Sequence, residues 1–274
     1  MQKKHDFMRP TWAPVLMPQR RSLWVLALAC VPLAAVALPA QAQTRVKIAA
    51  ASNLKFVLAD LTSLYEQQTG VQIDVNFGAS GNLARQILQG LPVAQFISAD
   101  EDRVAELVKA GRTLNAGERY ATGRLALVVP KNSALPMRQG LAALVRALKP
   151  NDKFALANPA LAPYGVAAEQ ALQSAGVAQL LTRQKVLGDN ISQATQFVAT
   201  GAAQAGITAL ALAQAPEIAN RLQVLPLPES LHAPLHQRMV LLKGASPAAV
   251  AWQQFLRSPP AQAIFVQHGY ALPQ

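Results

Sequence analysis

The sequence predicts an α/β protein of two lobes, each built on a doubly wound sheet, joined by a hinge of two chain crossovers. Three observations carry this expectation. Strand-like and helix-like segments alternate along residues 46–111, which implies mostly parallel sheets covered by helices. A second alternating set occupies residues 141–210. Two apolar strand-like segments, 124–130 and 238–242, flank that second set. The chain then leaves one lobe near residue 125 and returns near 238, giving a first lobe of 43–125 plus 238–274 and a second of 126–237. Two crossovers of this kind let lobes close on a ligand.

Each element has its own warrant. Residues 46–50 form a short apolar strand, and Leu54, Val57, Leu58, Leu61, Leu64 and Tyr65 keep helical spacing until Gly70. Residues 71–77 alternate strictly, with Val71, Ile73, Val75 and Phe77 on one face. A helix through Leu83, Ile87 and Leu88 follows, then a strand at 96–98 and a helix marked by Val104, Leu107 and Val108. The second set comprises a helix at 141–148, a strand at 154–157, helices at 167–172 and 192–200, and a strand at 206–210. Helices near 247–256 and 259–268 end the chain and could pack on either lobe. The stretch 225–234, rich in proline and holding His232, reads as a surface loop.

Residues 1–42 are set aside from the fold. Lys3, Lys4, Arg9, Arg20 and Arg21 precede an apolar run at 23–38, and Ala40-Gln41-Ala42 offers a small-x-small cleavage site. This is the pattern of a secretory signal cut after Ala42. Pro32 interrupts the run, which is short of the roughly 20 residues needed to span a bilayer. The single cysteine, Cys30, lies inside it, so the mature chain has no thiol. Lipid attachment at Cys30 is the competing reading, disfavoured by Ala27 three residues earlier. The formal charge of +11 falls to +7 without the leader, which holds five of the 25 basic and one of the 14 acidic residues. The basic residues are scattered and aromatics make up 5%, so no nucleic-acid surface is expected.

Three strand-to-helix junctions carry small hydroxyl or amide residues: Ser52-Asn53, Ser80-Gly81-Asn82 and Asn190-Ile191-Ser192. A helix start offers unpaired N–H groups and the positive end of its dipole, so an oxyanion can bind there without Lys or Arg. The plainer account is capping, because Ser and Asn are the preferred N-cap residues.

The runs Ala49-Ala50-Ala51-Ser52-Asn53, Phe77-Gly78-Ala79-Ser80-Gly81-Asn82-Leu83-Ala84-Arg85-Gln86-Ile87 and Phe96-Ile97-Ser98-Ala99-Asp100 resemble the periplasmic molybdate-binding proteins of ABC transporters. Asn158-Pro159, Ala162-Pro163-Tyr164-Gly165, Gly188-Asp189-Asn190-Ile191 and Phe265-Val266-Gln267-His268-Gly269-Tyr270 follow in the family's order. The resemblance implies a type II periplasmic binding-protein fold. It also implies a molybdate or tungstate ion held by hydroxyls and N–H groups, with no cofactor and no direct metal ligand. Carried over, the ligand set is Ser52, Asn53 and Ser80 from the first lobe, and Tyr164, by hydroxyl or backbone, with the N–H of Ile191 from the second. The implied partner is an inner-membrane permease, the implied location the periplasm. No sequence feature points to an oligomer, so a monomer is expected. Two departures stand out. Many members carry a Tyr ligand where this chain has Ala209, and Tyr164 is the expected replacement. Many also have an acidic residue before the Phe-Ile-Ser strand, where Ala94-Gln95 stands here, a change expected to alter a surface or interlobe contact.

Rival readings are weaker. Phosphate keeps a proton at neutral pH and asks for a carboxylate acceptor, and Asp189 is the only acid beside a junction. Sulfate differs from molybdate mainly in size. A ferric site needs a cluster of Tyr, His and carboxylates, whereas the four tyrosines are dispersed. A serine hydrolase using Ser80 would need Gly where Asn82 stands, and a base such as His232, His236 or His268. A cytosolic ligand sensor would carry no leader.

Overall fold

The computed structural model describes residues 44–273, so the expected leader, residues 1–42 with Cys30, lies outside the described residues. In the first lobe, β1 (Arg45–Ala51), α1 (Lys55–Thr69), β2 (Gln72–Gly78), α2 (Ser80–Leu88), β3 (Gln95–Ile97) and α3 (Asp102–Lys109) alternate, and β4 (Glu118–Gly123) follows. The second lobe contains β5 (Leu125–Pro130), α4 (Leu141–Arg146), β6 (Phe154–Ala157), α5 (Pro163–Ser174), β7 (Lys185–Gly188), α6 (Ile191–Ala199), β8 (Ala205–Ala209), α7 (Leu210–Ala213), α8 (Pro216–Ala219) and β9 (Leu222–Pro226). The chain then returns through β10 (Leu235–Leu241), α9 (Pro247–Leu256) and α10 (Pro259–Gln267).

Local chemistry sets these bounds. In β1, Val46 and Ile48 are buried while Lys47 is exposed, and the strand becomes buried on both faces at its carboxyl end. α1 stops at Gly70, whose φ of 70° is left-handed and whose N–H closes on the Glu66 carbonyl at 2.8 Å. β2 departs from the expected clean alternation: Phe77 is 38% exposed. β2 is an edge strand with a neighbour on one side only, so its end is less covered.

The sheets run β2-β1-β3-β10-β4 and β7-β6-β8-β5-β9. They share a plan. Three parallel strands come first, and the fourth runs against both its neighbours: β10 against β3 and β4, β5 against β8 and β9. Each sheet is therefore mixed but mostly parallel, four of its five strands pointing one way and one reversed. The antiparallel strands are those flanking the crossovers. Only Arg124 separates β4 from β5, and residues 227–234 carry the chain back. The changeovers fall slightly earlier than expected, since Leu125 already pairs with Ala209 and Leu235 with Gly123.

The sequence missed β4, β7 and β9. β4 has few apolar residues, β7 is four residues long, and β9 ends in Pro226, tolerated because β9 is an edge strand. Leu225 and Pro226 belong to β9 and pair with Leu127 and Ala126, and His232 is buried, so 225–234 is not simply a surface loop. α9 and α10 both pack on the first lobe, where Trp252 and Phe265 join Leu58 and Leu61 in one cluster. Leu83, Phe96, Val104 and Leu107 form another cluster in that lobe. Leu127, Phe154, Leu156 and Leu172 form one in the second lobe, with Val128, Val198 and Ile218 in another.

β10 carries a bulge between Gln237 and Arg238. Gln237 is fully buried there, while Arg238 reaches Glu101 with its Nε at 3.0 Å. Arg119 on β4 grips the same carboxylate at 2.9 and 2.7 Å. The Arg119 hydrogen bonds, reinforced by Arg238 and opposed by partial burial, hold the Glu101 carboxyl down at about 2 against an ordinary 4.5. A depressed folded pKa gives stability that is present above 4.5 and is lost as pH falls from there toward 2. The melting temperature is thus expected to drop on acidification from pH 5 to 3, and to drop less in Glu101→Gln. Parallel acid limbs in calorimetry would contradict this.

Candidate functional site

The five residues singled out by the sequence come together where strands end and helices begin. Ser52 follows β1 in a short 3-10 turn with Asn53; Ser80 opens α2, Ile191 opens α6 and Tyr164 is second in α5. This is the carboxyl edge of both sheets, where open α/β sheets place ligands. The neighbouring Ala51, Ala79 and Ala99 pack in one cluster with Ala162, Tyr164 and Ile191, so the lobes meet here. Polar bonds cross the same seam. The Ser192 hydroxyl donates to the Ser52 carbonyl at 2.8 Å, and the Gly81 N–H donates to the Leu161 carbonyl at 3.0 Å. None of the five is more than 4% exposed, so their polar groups must be satisfied without bulk water.

Capping does not explain the serines. Ser52 and Ser80 are each the first residue of their turn or helix, with Ala51 and Ala79 at the N-cap positions. The Ser80 Oγ instead accepts the N–H of Ala99 at 3.0 Å, and the Ser52 Oγ accepts the N–H of Ser192 at a long 3.5 Å. A hydroxyl whose oxygen is already engaged as an acceptor keeps its proton for another partner. Capping does account for Asn190, whose side chain accepts the Gln193 N–H at 3.1 Å. That leaves the Ile191 N–H without a partner among the described residues. α5 begins with Pro163 and no side-chain cap, and the Tyr164 N–H is equally unpaired there.

The Tyr164 hydroxyl lies elsewhere, in the hinge, accepting from Gln237 Nε2 at 3.0 Å. Gly123, the last residue before the crossover, leaves room for it: a Cβ there would overlap the Tyr164 hydroxyl and the Gln237 amide. Gln237 Oε1 accepts from Asn53 Nδ2 at 3.0 Å and from the Tyr120 hydroxyl at 2.7 Å, and the Tyr270 hydroxyl donates to the Asn53 carbonyl at 2.9 Å. Burial pushes the phenols of Tyr120, Tyr164 and Tyr270 up, so all three stay protonated donors at neutral pH. The sequence reading missed Gln237. Its signal was present, a lone polar residue at the period-two position between Leu235 and Met239, both buried.

Other expected features are placed apart. Ala209 is buried at the end of β8 and offers only its backbone. Gln95 is neither surface nor interlobe: it is buried inside the first lobe, donating to Gln253 Oε1 on α9 at 3.0 Å. Asp189 is exposed. His236 pairs with Thr122, His268 with Asp60 and His232 with the Ala233 carbonyl, so none of these three is bonded to Ser80. The seam also opens into a groove of about 230 Å³ whose charged lining is Asp100, Asp102 and Arg103, an excess of one carboxylate. Carboxylates repel an oxyanion, which favours the buried donors as its place.

The sequence and the two-lobe fold match a known group of proteins. The model of the bacterial extracellular solute-binding proteins matches residues 46–271. The chain belongs to this family. Among curated relatives of this solute-binding protein, the molybdate-binding protein ModA of Rhodobacter capsulatus is 37% identical over 86% of this chain and 91% of its own. The ModA of Azotobacter vinelandii is 35% identical over 83% and 90%. Among solved structures, the periplasmic molybdate-binding protein of A. vinelandii superposes with a TM-score of 0.77 at 29% identity, covering 84% of this chain and all of that one. The sulfate-binding protein SubI of Mycobacterium tuberculosis superposes at 0.68 with 18% identity, over 83% and 86%, a likeness of fold.

Proposed function

We propose that this protein captures molybdate or tungstate between its lobes in the periplasm, as a monomer, and delivers it to the permease of an ABC transporter. The observation that carries the reading is a buried interlobe set of donors with no charged side chain in it. The hydroxyls of Ser52 and Ser80 have their oxygens engaged by backbone N–H groups, and the N–H groups of Tyr164 and Ile191 have no partner among the described residues at their helix starts. Such a set suits a fully deprotonated oxyanion, which only accepts. It does not suit hydrogen phosphate, whose proton needs an acceptor that exposed Asp189 does not supply. The names of the relatives support molybdenum over sulfur, since two of them above 30% identity are molybdate-binding proteins. Residues 1–42 are proposed as the export leader, and Tyr164 contributes through its backbone while its side chain serves the hinge.

Calorimetric titration of residues 43–274 with molybdate, tungstate, sulfate and phosphate tests the reading. Micromolar or tighter binding of the first two, with sulfate and phosphate at least about 100-fold weaker, is expected; that ratio is roughly 2.7 kcal/mol. Preferred binding of sulfate would move the protein to the other oxyanion class. No binding of any tetrahedral anion would end the oxyanion reading.

A further inference from the structure

Gln237 is completely buried and meets three other polar side chains from three parts of the chain: Asn53 beside Ser52, Tyr120 on β4 and Tyr164 on α5. Three groups in this network are badly served. The Tyr120 hydroxyl has one proton for two acceptors, the Ser98 carbonyl at 3.0 Å and Gln237 Oε1. The Tyr164 proton has no acceptor among the hydrogen bonds of the described residues. Asn53 Oδ1 is buried with no partner among those residues, while Asn53 Nδ2 serves Gln237 and Tyr270. A buried amide oxygen without a donor is costly, and native interiors rarely keep one.

The oxygen and NH2 ends of an amide have nearly the same shape and are told apart by their partners. Turning the amides of Asn53 and Gln237 together by half a turn therefore needs no extra space. Gln237 Nε2 then donates to Asn53 Oδ1 and to Tyr120, whose single proton goes to Ser98. The Tyr164 proton finds Gln237 Oε1. The Tyr270 hydroxyl takes over the shared role, its one proton facing both the Asn53 carbonyl and Asn53 Oδ1, and Asn53 Nδ2 comes to the place where Oδ1 stands alone, on the residue that follows Ser52.

We propose that Gln237 is a positioning residue that commits the Asn53 amide to present N–H, and not its carbonyl, to an oxyanion bound beside Ser52. The inference rests on the oxyanion reading and deepens it. Gln237 touches no ligand in this account. It acts because its amide can donate to Asn53 Oδ1 and accept from Tyr164 at the same time.

The test compares two replacements in protein produced from the full-length sequence, titrated with molybdate, with the unfolding midpoint of each variant recorded. Gln237→Glu has the same shape and, once ionised, only acceptors; because burial raises its carboxyl, the titrations are run at about pH 9, where it draws Asn53 NH2 to itself and turns Oδ1 toward the anion. Gln237→Met keeps the length and orients nothing. Affinity is expected to fall about 100-fold in Gln237→Glu and about 10-fold in Gln237→Met, the scale of one hydrogen bond to a charge lost or reversed. In an Asn53→Ala background the two should bind alike. A Glu-to-Met difference that persists there would mean simple charge repulsion and would overturn the proposal, as would equal affinity of both variants with Asn53 present. If the Gln237→Glu protein does not fold, Tyr120→Phe replaces it. That change is expected to cost about 5-fold alone and nothing further in a Gln237→Met background, because it removes only a group that orients Gln237; an unchanged or additive loss contradicts the role. Failure of the unaltered protein to bind any tetrahedral anion would instead strike the functional reading on which this one stands.

Discussion

Ser80→Ala is expected to weaken molybdate binding by about 10- to 150-fold, the effect of removing one hydrogen bond to a charged group worth roughly 1.5 to 3 kcal/mol. The fold should survive. Ser80 opens α2 without capping it, and its hydroxyl takes only the Ala99 N–H at 3.0 Å, so the structural loss is a single neutral hydrogen bond. That bond contributes about 1 kcal/mol. The two consequences are separable by titration and by urea unfolding of the same sample. A large fall in stability with unchanged affinity would return Ser80 to a structural role.

Gly165→Ala should do the opposite and damage stability first. A Cβ at Gly165 would overlap the Ala157 carbonyl oxygen and sit 2.8 Å from the Pro159 nitrogen. Both are backbone atoms that cannot rotate away, so the start of α5 must lift off β6. Overpacking of this kind costs about 1 to 3 kcal/mol, and here the upper end applies because no flexible side chain can yield. At roughly 2 to 4 °C per kcal/mol for a protein of this size, the melting temperature falls by about 6 to 12 °C. Affinity falls too, since the displaced turn carries the Tyr164 N–H. Val166→Ala, one residue on and 44% exposed, serves as the control and should change neither. Wild-type stability in Gly165→Ala would mean that α5 does not approach β6 as closely as described.

These expectations show what the sequence could and could not convey. Short apolar runs located β1 and β6, which are buried on both faces over part or all of their length, and helical spacing located α1 and α6, each of which buries one stripe. The carboxyl-end junctions Ser52, Ser80 and Ile191 were legible as well, since a short polar residue between a strand and a helix is a local signal. The crossover at Arg124 was legible only approximately. β4 has too few apolar residues to announce itself, and a crossover one residue long leaves no loop to read. The hinge network was not legible as a whole. Asn53, Tyr120, Tyr164, Gln237 and Tyr270 come from five separate elements or loops, and only the topology brings them together. Tyr164 shows the limit of reading by residue type. The resemblance offered Tyr164 by hydroxyl or backbone, and its hydroxyl meets Gln237 in the hinge while its backbone lies at the helix start.

The most direct test of the central claim is a crystal structure grown with molybdate, with the molybdenum located by its anomalous scattering. One molybdenum is expected at the seam of the lobes, its oxygens within hydrogen-bond reach of the Ser52 and Ser80 hydroxyls and the Ile191 N–H, with no Lys or Arg in contact. Molybdenum found elsewhere, or held there by basic side chains, would contradict the claim.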